Sequence, residues 1–221
     1  MKLTLFDLDH TLLSGDSDVL WCDFLIHQGL LDRTTFGARN ADMEARYKAG
    51  TVDAVAFANF YVGTLAGRSP AQWEPVRQAF LARSIVPRIP QAALDLVQQH
   101  QDAGALVVLT TATNRFITEL TALYLGIEHL IATEPETDQG LFTGGTTGTL
   151  NMREGKVERL KAWTRARGHR LKDFNSTAYS DSINDLPLLL AANHAVAVDP
   201  DALLAVEAQQ RGWPVLRLAR A

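Results

Sequence analysis

The chain has 221 residues, of which 47% are hydrophobic and 21% are charged, and its formal net charge is −4. This composition is typical of a soluble globular protein that forms one large domain, or one domain with a smaller insert. The negative charge and the lack of a basic stripe argue against a nucleic-acid-binding surface.

The sequence also argues against a membrane protein and against a disulfide-stabilised one. No apolar run approaches the roughly 20 residues that cross a bilayer, and Asp7 and Asp9 interrupt any signal-peptide core. The single cysteine, Cys22, excludes an internal disulfide and lies in an apolar segment without a histidine partner. We expect Cys22 to be a buried core residue, and the protein to be cytoplasmic.

The first predicted element is an apolar strand over residues 2–8, and a long helical stretch follows it. Helical periodicity covers segments near residues 21–29, 36–47, 52–65 and 71–82. Ser69 and Pro70 are typical of the cap and first turn of the last of these helices. A further helix is predicted over residues 91–102.

Strands and helices then alternate. Strands are predicted over 105–109, 129–132, 176–179, 195–198 and 214–216, and helices over 114–125, 154–167, 185–192 and 201–211. The Gly/Thr-rich residues 140–149 suggest a hairpin or a loop. This alternation predicts an α/β fold with a doubly wound, Rossmann-like parallel sheet. Residues 1–14 and 86–221 would form this core, and residues 15–85 a helical cap inserted into it.

Polar side chains with catalytic potential follow the predicted strands. Because ligands bind at the carboxyl ends of the strands in an open parallel sheet, residues that follow different strands should meet there. The residues that we expect to converge are Asp7, Asp9, Thr111, Lys156, Asp181 and Asp185.

Four segments around these residues, in this order, resemble the motifs of the haloacid dehalogenase-like superfamily, in its phosphatase branch. A helical cap between the first two motifs is similar to that of the phosphoserine-phosphatase-like subfamily. The four segments are Asp7-Leu8-Asp9-His10-Thr11, Thr111 after Val107-Val108-Leu109-Thr110, Gly155-Lys156-Val157, and Ser180-Asp181-Ser182-Ile183-Asn184-Asp185.

The chemistry of these residues suits phosphate-ester hydrolysis. Asp7 can attack phosphorus to give an aspartyl-phosphate, and Asp9 can protonate the leaving alcohol and later deprotonate water. A carboxylate-rich set without a His or Cys cluster favours Mg²⁺. We expect the Asp7 carboxylate, the Asp9 main-chain carbonyl and the Asp181 carboxylate to bind this ion.

The remaining motif residues are expected to bind phosphate or to support the site. Thr111, at a predicted helix N-terminus, Lys156 and Asn184 would contact phosphate oxygens. Asp185 would hold the water shell of the metal or pair with Lys156, and Thr11 would support the first motif. Taken singly, each has an ordinary alternative: an Asx-turn at Asp7 and Asp9, a helix cap at Asp185 or Thr111, a solvated helix residue at Lys156.

The substrate is the most open question. In the phosphoserine phosphatases that the chain resembles, an acidic residue nine positions after the nucleophile holds an amino group, and Asp16 has that offset. Asp16 or Asp18 can equally cap the first cap helix. A phosphoserine carboxylate would need a cation from the cap, for which Arg46 and Arg39 are available.

The segment Gly15-Asp16-Ser17-Asp18 also resembles bacterial histidinol-phosphatases of this subfamily, so histidinol phosphate is the first choice of substrate. Phosphoserine is the second, followed by a broad range of small phosphomonoesters. The resemblance implies a small phosphorylated metabolite as partner and neither nucleic acid nor membrane. A phosphotransferase and a non-catalytic phosphometabolite-binding protein remain open, and the oligomeric state is not readable from the sequence.

Overall fold

A seven-stranded sheet forms the centre of the computed structural model, which describes residues 1–218. In chain order, the strands are β1 (Lys2–Phe6), β2 (Leu106–Asn114), β3 (His129–Asp138), β4 (Leu141–Thr147), β5 (Asn175–Ser180), β6 (His194–Val198) and β7 (Val215–Leu216). Their order across the sheet is β4-β3-β2-β1-β5-β6-β7. The β3–β4 pair is antiparallel and the other neighbouring pairs are parallel.

Helices connect these strands and cover both faces of the sheet. They are α1 (Ser17–His27), α2 (Arg33–Lys48), α3 (Ala54–Val62), α4 (Pro70–Phe80), α5 (Gln91–Asp102), α6 (Arg115–Tyr124), α7 (Glu154–Arg165), α8 (Leu186–Ala191) and α9 (Ala202–Arg211). The predicted α/β fold with a mainly parallel, doubly wound sheet is therefore confirmed.

Burial on both faces explains why β1 is almost entirely apolar. Leu3 and Leu5 belong to the apolar cluster on one face of the sheet, whereas Phe6 and Leu8 belong to the cluster on the other. A strand that is covered on both sides cannot alternate apolar with polar residues. The central position of β1, between β2 and β5, brings the residues that follow it into the middle of the carboxyl edge.

Several predicted boundaries differ from the structure, and two of them lie next to the motif residues. The first strand ends at Phe6, since the chain turns tightly from Leu8 onwards. The second strand continues to Asn114, with an irregular register between Thr111 and Asn114 where it pairs with β3. Thr111 therefore lies inside β2, and the expectation that it stands at a helix N-terminus is wrong. Asn114 caps α6 instead, because its side chain accepts from the Ile117 N–H at 3.2 Å.

The helices α1, α3 and α4 contribute to two apolar clusters. Side chains of α1 and α4, such as Trp21 and Phe80, share one apolar cluster with the sheet residues Phe6 and Leu109. Side chains of α3, with Cys22 and Ile26 of α1, form a separate cluster. The proposed division into a core (1–14 and 86–221) and a cap (15–85) stays a prediction, and residues 219–221 of that core lie outside the described residues.

Cys22 is buried, as expected of a core residue. Burial, followed by the charge of Asp23, raises the pKa of its thiol to about 12, which disfavours the nucleophilic thiolate form. None of the helices in residues 1–218 combines the length and the apolar character needed to cross a membrane.

Candidate active site

The turn after β1 brings Asp7 and Asp9 together in a buried position. The Leu8 carbonyl accepts from the N–H groups of Thr11, Leu12 and Leu13 at 3.2, 2.9 and 3.0 Å. His10 adopts a left-handed conformation (φ 55°), which allows this tight reversal of the chain. Asp7 and Asp9 are only 5% and 9% exposed. Two carboxyl groups this deep need compensating partners.

Lys156 supplies the main compensation for Asp7. Its ammonium group, on a side chain that is 1% exposed, lies 2.7 Å from Asp7 Oδ1 and 2.7 Å from Asp185 Oδ2. Burial alone would lower the pKa of Lys156, but the charges of Asp185 and Asp7 outweigh it and raise this pKa. Lys156 is thus a permanent cation beside the Asp7 carboxyl group and not a solvated helix residue.

Local backbone geometry explains how Lys156 reaches this place. It lies in the first turn of α7, directly after Gly155. A Cβ atom at position 155 would collide with the Leu150 carbonyl oxygen, so only glycine allows the loop to approach α7 this closely.

Asp185 holds Lys156 from the other side. Although it occupies the position before α8, its side chain makes no capping hydrogen bond. Its Oδ2 accepts instead from Lys156 and, at 2.8 Å, from the Ser180 hydroxyl. Of the two expectations for Asp185, the structure places it beside Lys156.

Asp7 and Asp181 lie on either side of one hydroxyl group. Thr11 Oγ1 is 3.0 Å from Asp7 Oδ2 and 3.1 Å from Asp181 Oδ1, and it accepts from the Asp181 N–H at 3.1 Å. Burial raises the pKa of Asp7 to about 7, against the lowering effect of Lys156. Burial, then the charge of Asp7, raises the pKa of Asp181 well above its usual range. A further cation beside these two carboxyl groups would favour their ionised forms.

The residues present fit a magnesium ion. Oxygen ligands are available from the carboxylates of Asp7 and Asp181 and from the main-chain carbonyl of Asp9, which are the groups that Mg²⁺ prefers. Within residues 1–218, no group of three or more His, Cys, Asp or Glu side chains is arranged to hold a metal ion. The expected Mg²⁺ ligands are two carboxylates and one main-chain carbonyl, so this site does not need three such side chains.

Asp9 is held by donors from two directions. Its Oδ1 accepts from the Ser17 N–H at 2.7 Å, and its Oδ2 accepts from the hydroxyls of Thr111 and Thr113 at 3.2 and 3.1 Å. The carboxyl group of Asp9 is therefore fixed between the start of the cap and the end of β2. The hydroxyl of Thr111 donates to Asp9 in this structure, so its expected contact with phosphate stays a prediction.

Asp16 and Asp18 lie beside this network. Asp16 caps α1, because its Oδ1 accepts from the N–H groups of Asp18 and Val19 at 2.9 and 3.0 Å. Its second oxygen makes no hydrogen bond within residues 1–218. Burial and then the charge of Asp9 raise the pKa of Asp16 to about 8. A cap role for Asp16 and a ligand role for its second oxygen are thus compatible.

Asp18 is more deeply enclosed. Its Oδ2 lies 3.0 Å from Thr113 Oγ1, and its Oδ1 is buried with no hydrogen-bond partner. Burial, then the charges of Asp16 and Asp9, raise the pKa of Asp18 well above its usual range. A neutral carboxyl group at Asp18 would relieve this crowding of acids.

The two cap arginines that could bind a substrate carboxylate point to other partners. The exposed side chain of Arg46 pairs with Asp42, one turn away on α2, at 3.6 Å. The guanidinium of Arg39 lies 4.9 Å from the centre of the Phe60 ring. Neither of these contacts is with the carboxylates around Asp7.

Asn184 joins the site to the cap. Its Nδ2 donates to the Tyr47 carbonyl at 3.2 Å and to Ser182 Oγ at 3.3 Å, and its Oδ1 accepts from Arg153 Nε at 3.2 Å. The expected phosphate contact of Asn184 stays a prediction, because these partners occupy its amide in this structure.

Sequence reasoning missed several residues that shape the site: Ser17, Thr113, Tyr47, Asn151 and Arg153. Asn151 Nδ2, for example, donates to Thr110 Oγ1 and to the carbonyls of Thr111 and Ile131, at 3.0, 2.9 and 2.9 Å. If the predicted second strand is extended beyond residue 109, the two-residue spacing places Thr111 and Thr113 on the same face of it, which indicates that both side chains can contact one partner. The other contacts depend on how distant loops meet.

A cavity of about 550 Å³ lies away from the carboxylate cluster. Its lining includes Lys161, Arg165, Arg170, Ser176 and Asn193. Ser176 stands at the start of β5, so this cavity faces the amino ends of the strands. Ligands of open α/β sheets bind at the opposite edge, where the motif residues are. The carboxylate cluster, and not this cavity, is the candidate active site.

Comparison with known proteins shows the family of the chain. Residues 4–190 match the family model of the haloacid dehalogenase-like hydrolases. The chain is 41% identical to a histidinol-phosphatase of Neisseria meningitidis, over 97% of this chain and 98% of that protein. It is 32% identical to the phosphoserine phosphatase SerB1 of Mycobacterium tuberculosis, over 97% of this chain and 71% of that protein.

A similar structure has also been solved. It is that of a protein of unknown function from Bordetella pertussis Tohama I, with a TM-score of 0.92 and 44% identity over 97% of both chains. The similarity extends along the whole fold, and the family model covers all four motifs. The chain therefore belongs to the haloacid dehalogenase-like hydrolase family, as its motifs predict.

Proposed function

We propose that the protein is a Mg²⁺-dependent phosphomonoester hydrolase that works through an aspartyl-phosphate on Asp7. The observation that carries the proposal is the position of Lys156, 2.7 Å from both Asp7 and Asp185 at the carboxyl edge of the sheet. This arrangement keeps a cation beside a buried carboxylate, as a nucleophile that attacks an anionic phosphate requires.

In the first half of the reaction, an oxygen of Asp7 forms a bond to phosphorus as the bond from phosphorus to the alkoxide oxygen breaks. Asp9 gives its proton to that leaving oxygen. Lys156 offsets negative charge near Asp7. Bound Mg²⁺, held by Asp7, the Asp9 carbonyl and Asp181, would neutralise charge on the transferred phosphoryl group.

In the second half, Asp9 takes a proton from a water molecule, which attacks the phosphorus of the aspartyl-phosphate. The bond from phosphorus to the Asp7 oxygen breaks, and inorganic phosphate and the free carboxylate result. The donors around Asp9, from Ser17, Thr111 and Thr113, hold it in one orientation for both proton transfers.

For the substrate, we propose a small amine-bearing phosphometabolite, with histidinol phosphate as the first choice. The free second oxygen of Asp16 supports recognition of an ammonium group. The engagement of Arg46 with Asp42 and of Arg39 with Phe60 supports a leaving group without a carboxylate. The identity of 41% to a histidinol-phosphatase supports the same choice, and phosphoserine or a broad specificity is the alternative.

Phosphate release by the purified protein tests both levels of the proposal. The measurement is kcat/KM for histidinol phosphate, phosphoserine and several sugar phosphates, with Mg²⁺ and with a chelator. We expect Mg²⁺-dependent release and a preference of about tenfold or more for histidinol phosphate, equivalent to about 1.4 kcal/mol of transition-state binding. A preference for phosphoserine would overturn the substrate. No release from any ester, with phosphate esters still bound, would indicate a binding protein instead.

A further inference from the structure

Arg153 connects the loop before α7 to the far end of α2 in the cap. Its Nη2 donates to the carbonyl oxygens of Gly50 at 2.9 Å and Val52 at 3.2 Å, and its Nε donates to Asn184 Oδ1 at 3.2 Å. A cation is favoured there, since the C-terminal end of a helix carries partial negative charge. One guanidinium group thus joins the cap to the loop that carries Asp185.

Asn184 makes the matching contact from that loop. Its amide donates to the Tyr47 carbonyl at 3.2 Å, in the last turn of α2. The short segment from Tyr47 to Val52 is therefore bound to the core by two side chains, which are themselves hydrogen-bonded to each other. Movement of this segment away from the site would break the three hydrogen bonds that its carbonyl groups accept, at Tyr47, Gly50 and Val52.

The backbone of Arg153 is in a conformation that glycine adopts more easily. Its φ and ψ are 52° and −125°. A residue with a Cβ atom is strained there, and such strain persists where the surrounding structure holds it. The three hydrogen bonds of the guanidinium provide that restraint, which glycine could not.

Tyr47 is the residue of this segment that lies beside the fourth motif, since its main-chain carbonyl accepts from Asn184 Nδ2 at 3.2 Å. Its ring stacks on Phe57 with 5.1 Å between the ring centres. Burial, then the charges of Asp185, Asp7 and Asp181, raise the pKa of its phenol well above the usual range. The Tyr47 hydroxyl makes no hydrogen bond to any residue within 1–218, which leaves it available to a ligand.

We propose that Arg153 is a positioning residue that fixes the end of α2 over the catalytic carboxylates, and that it acts through Tyr47 on the leaving group of the phosphomonoester. This inference rests on the proposed function. The phosphoryl group would be bound by core residues alone, whereas the alcohol part would meet Tyr47. Loss of Arg153 should therefore weaken binding of the complete ester more than binding of inorganic phosphate.

Arg153→Lys tests this proposal, because lysine keeps the charge but cannot reach three acceptors in the same geometry. We expect KM for histidinol phosphate to rise about tenfold, with kcat changed less than threefold. The inhibition constant of inorganic phosphate should change less than twofold. Arg153→Gly, which also relieves the strained φ, should show the same rise in KM without a lower melting temperature.

Arg159→Lys is the matched control. Arg159 lies on α7 and is half-buried, but it donates to Thr149 O and Glu134 Oε1, outside the segment from Tyr47 to Val52. It should leave KM unchanged. The double variant Arg153→Lys, Tyr47→Ala should have the same KM as Tyr47→Ala alone. The two effects should not add, because Arg153 is proposed to act on the substrate only through Tyr47. Equal losses for ester and phosphate, full additivity, or an unchanged KM in Arg153→Lys would overturn the proposal.

Hydrogen exchange separates this inference from the proposed function. If the wild-type protein releases phosphate from no ester, the proposed function fails. The positioning of α2 by Arg153 is still measurable as the exchange rate of the amides of residues 47–52. We expect at least a tenfold increase in Arg153→Lys and none in Arg159→Lys. Equal rates in all three proteins would overturn the positioning itself.

Discussion

Replacement of Lys156 by methionine should strongly destabilise the protein at neutral or higher pH. Methionine is similar in length and fits an apolar stem, but it leaves Asp7 and Asp185 without the ammonium that lies 2.7 Å from each. Removal of one partner from a buried ion pair costs about 3–5 kcal/mol. For a chain of this size, 1 kcal/mol shifts the melting temperature by about 2–4 °C, so we expect a decrease of about 6–20 °C.

The pH dependence provides an internal check on this decrease. The raised pKa of Lys156 means that its stabilising charge is fully present below its unfolded pKa, which is near 10.5, and is lost only as the pH rises through the higher folded value. The charge of Lys156 is therefore constant between about pH 5 and pH 8. The abandoned carboxylates can take up protons at the lower pH, so the loss in Lys156→Met should be smaller there.

Thermal denaturation without metal, at about pH 5 and about pH 8, measures this effect. Lys161→Met is the matched control, because Lys161 is an exposed residue on the same helix. It should change the melting temperature by less than about 2 °C, since an exposed substitution usually costs under about 0.5 kcal/mol. The assigned electrostatic role of Lys156 would be wrong if Lys156→Met changed the melting temperature as little as this control does. It would also be wrong if Lys156→Met lowered the melting temperature equally at both pH values.

Three further predictions concern protons, metal and substrate. Without metal, the free energy of unfolding should fall as the pH rises from about 4 to about 8. The reason is that the folded state holds protons on Asp7 and Asp16, whose pKa values of about 7 and about 8 lie above the ordinary value of 3.8. A free energy of unfolding, measured by urea denaturation, that rose over this range would contradict this. Mg²⁺ at about 100 times its Kd should add about 2.7 kcal/mol to the free energy of unfolding and raise the melting temperature by about 5–11 °C. Mg²⁺ should bind more tightly at about pH 8 than at about pH 6, because Asp7 must release its proton to bind it. Equal affinities at the two pH values, measured by calorimetry, would argue against Asp7 as a ligand. Asp16→Asn keeps the hydrogen bonds that cap α1 but removes the carboxylate. KM should therefore rise at least tenfold for histidinol phosphate and less than threefold for a sugar phosphate. Equal changes in KM for both substrates would exclude an ammonium contact.

The sequence predicts the sheet well because strand type and topology are linked. An apolar β1 flanked by helices has to be a central parallel strand, and parallel strands bring the residues after them to one edge. For that reason Asp7, Asp181 and Asp185 could be expected to meet, and the structure brings them together around Lys156 and Thr11.

The contacts that the sequence does not predict come from pairing and docking over long distances. The continuation of β2 to Asn114 depends on its irregular pairing with β3, and it changes Thr111 from a helix-end residue to a partner of Asp9. The link from Arg153 to Gly50 and Val52 joins segments about 100 positions apart, with no local pattern to mark it. Side chains that connect the cap and the core therefore become visible only in three dimensions.

The central claim is that Asp7 carries the phosphoryl group, and acid-quenched mass spectrometry of the protein mixed with histidinol phosphate and Mg²⁺ tests it most directly. We predict one added phosphoryl group on the peptide that contains Asp7, and none in Asp7→Asn, which should fold normally but release no phosphate. A phosphoryl group on another residue, or full phosphate release by Asp7→Asn, would contradict the claim.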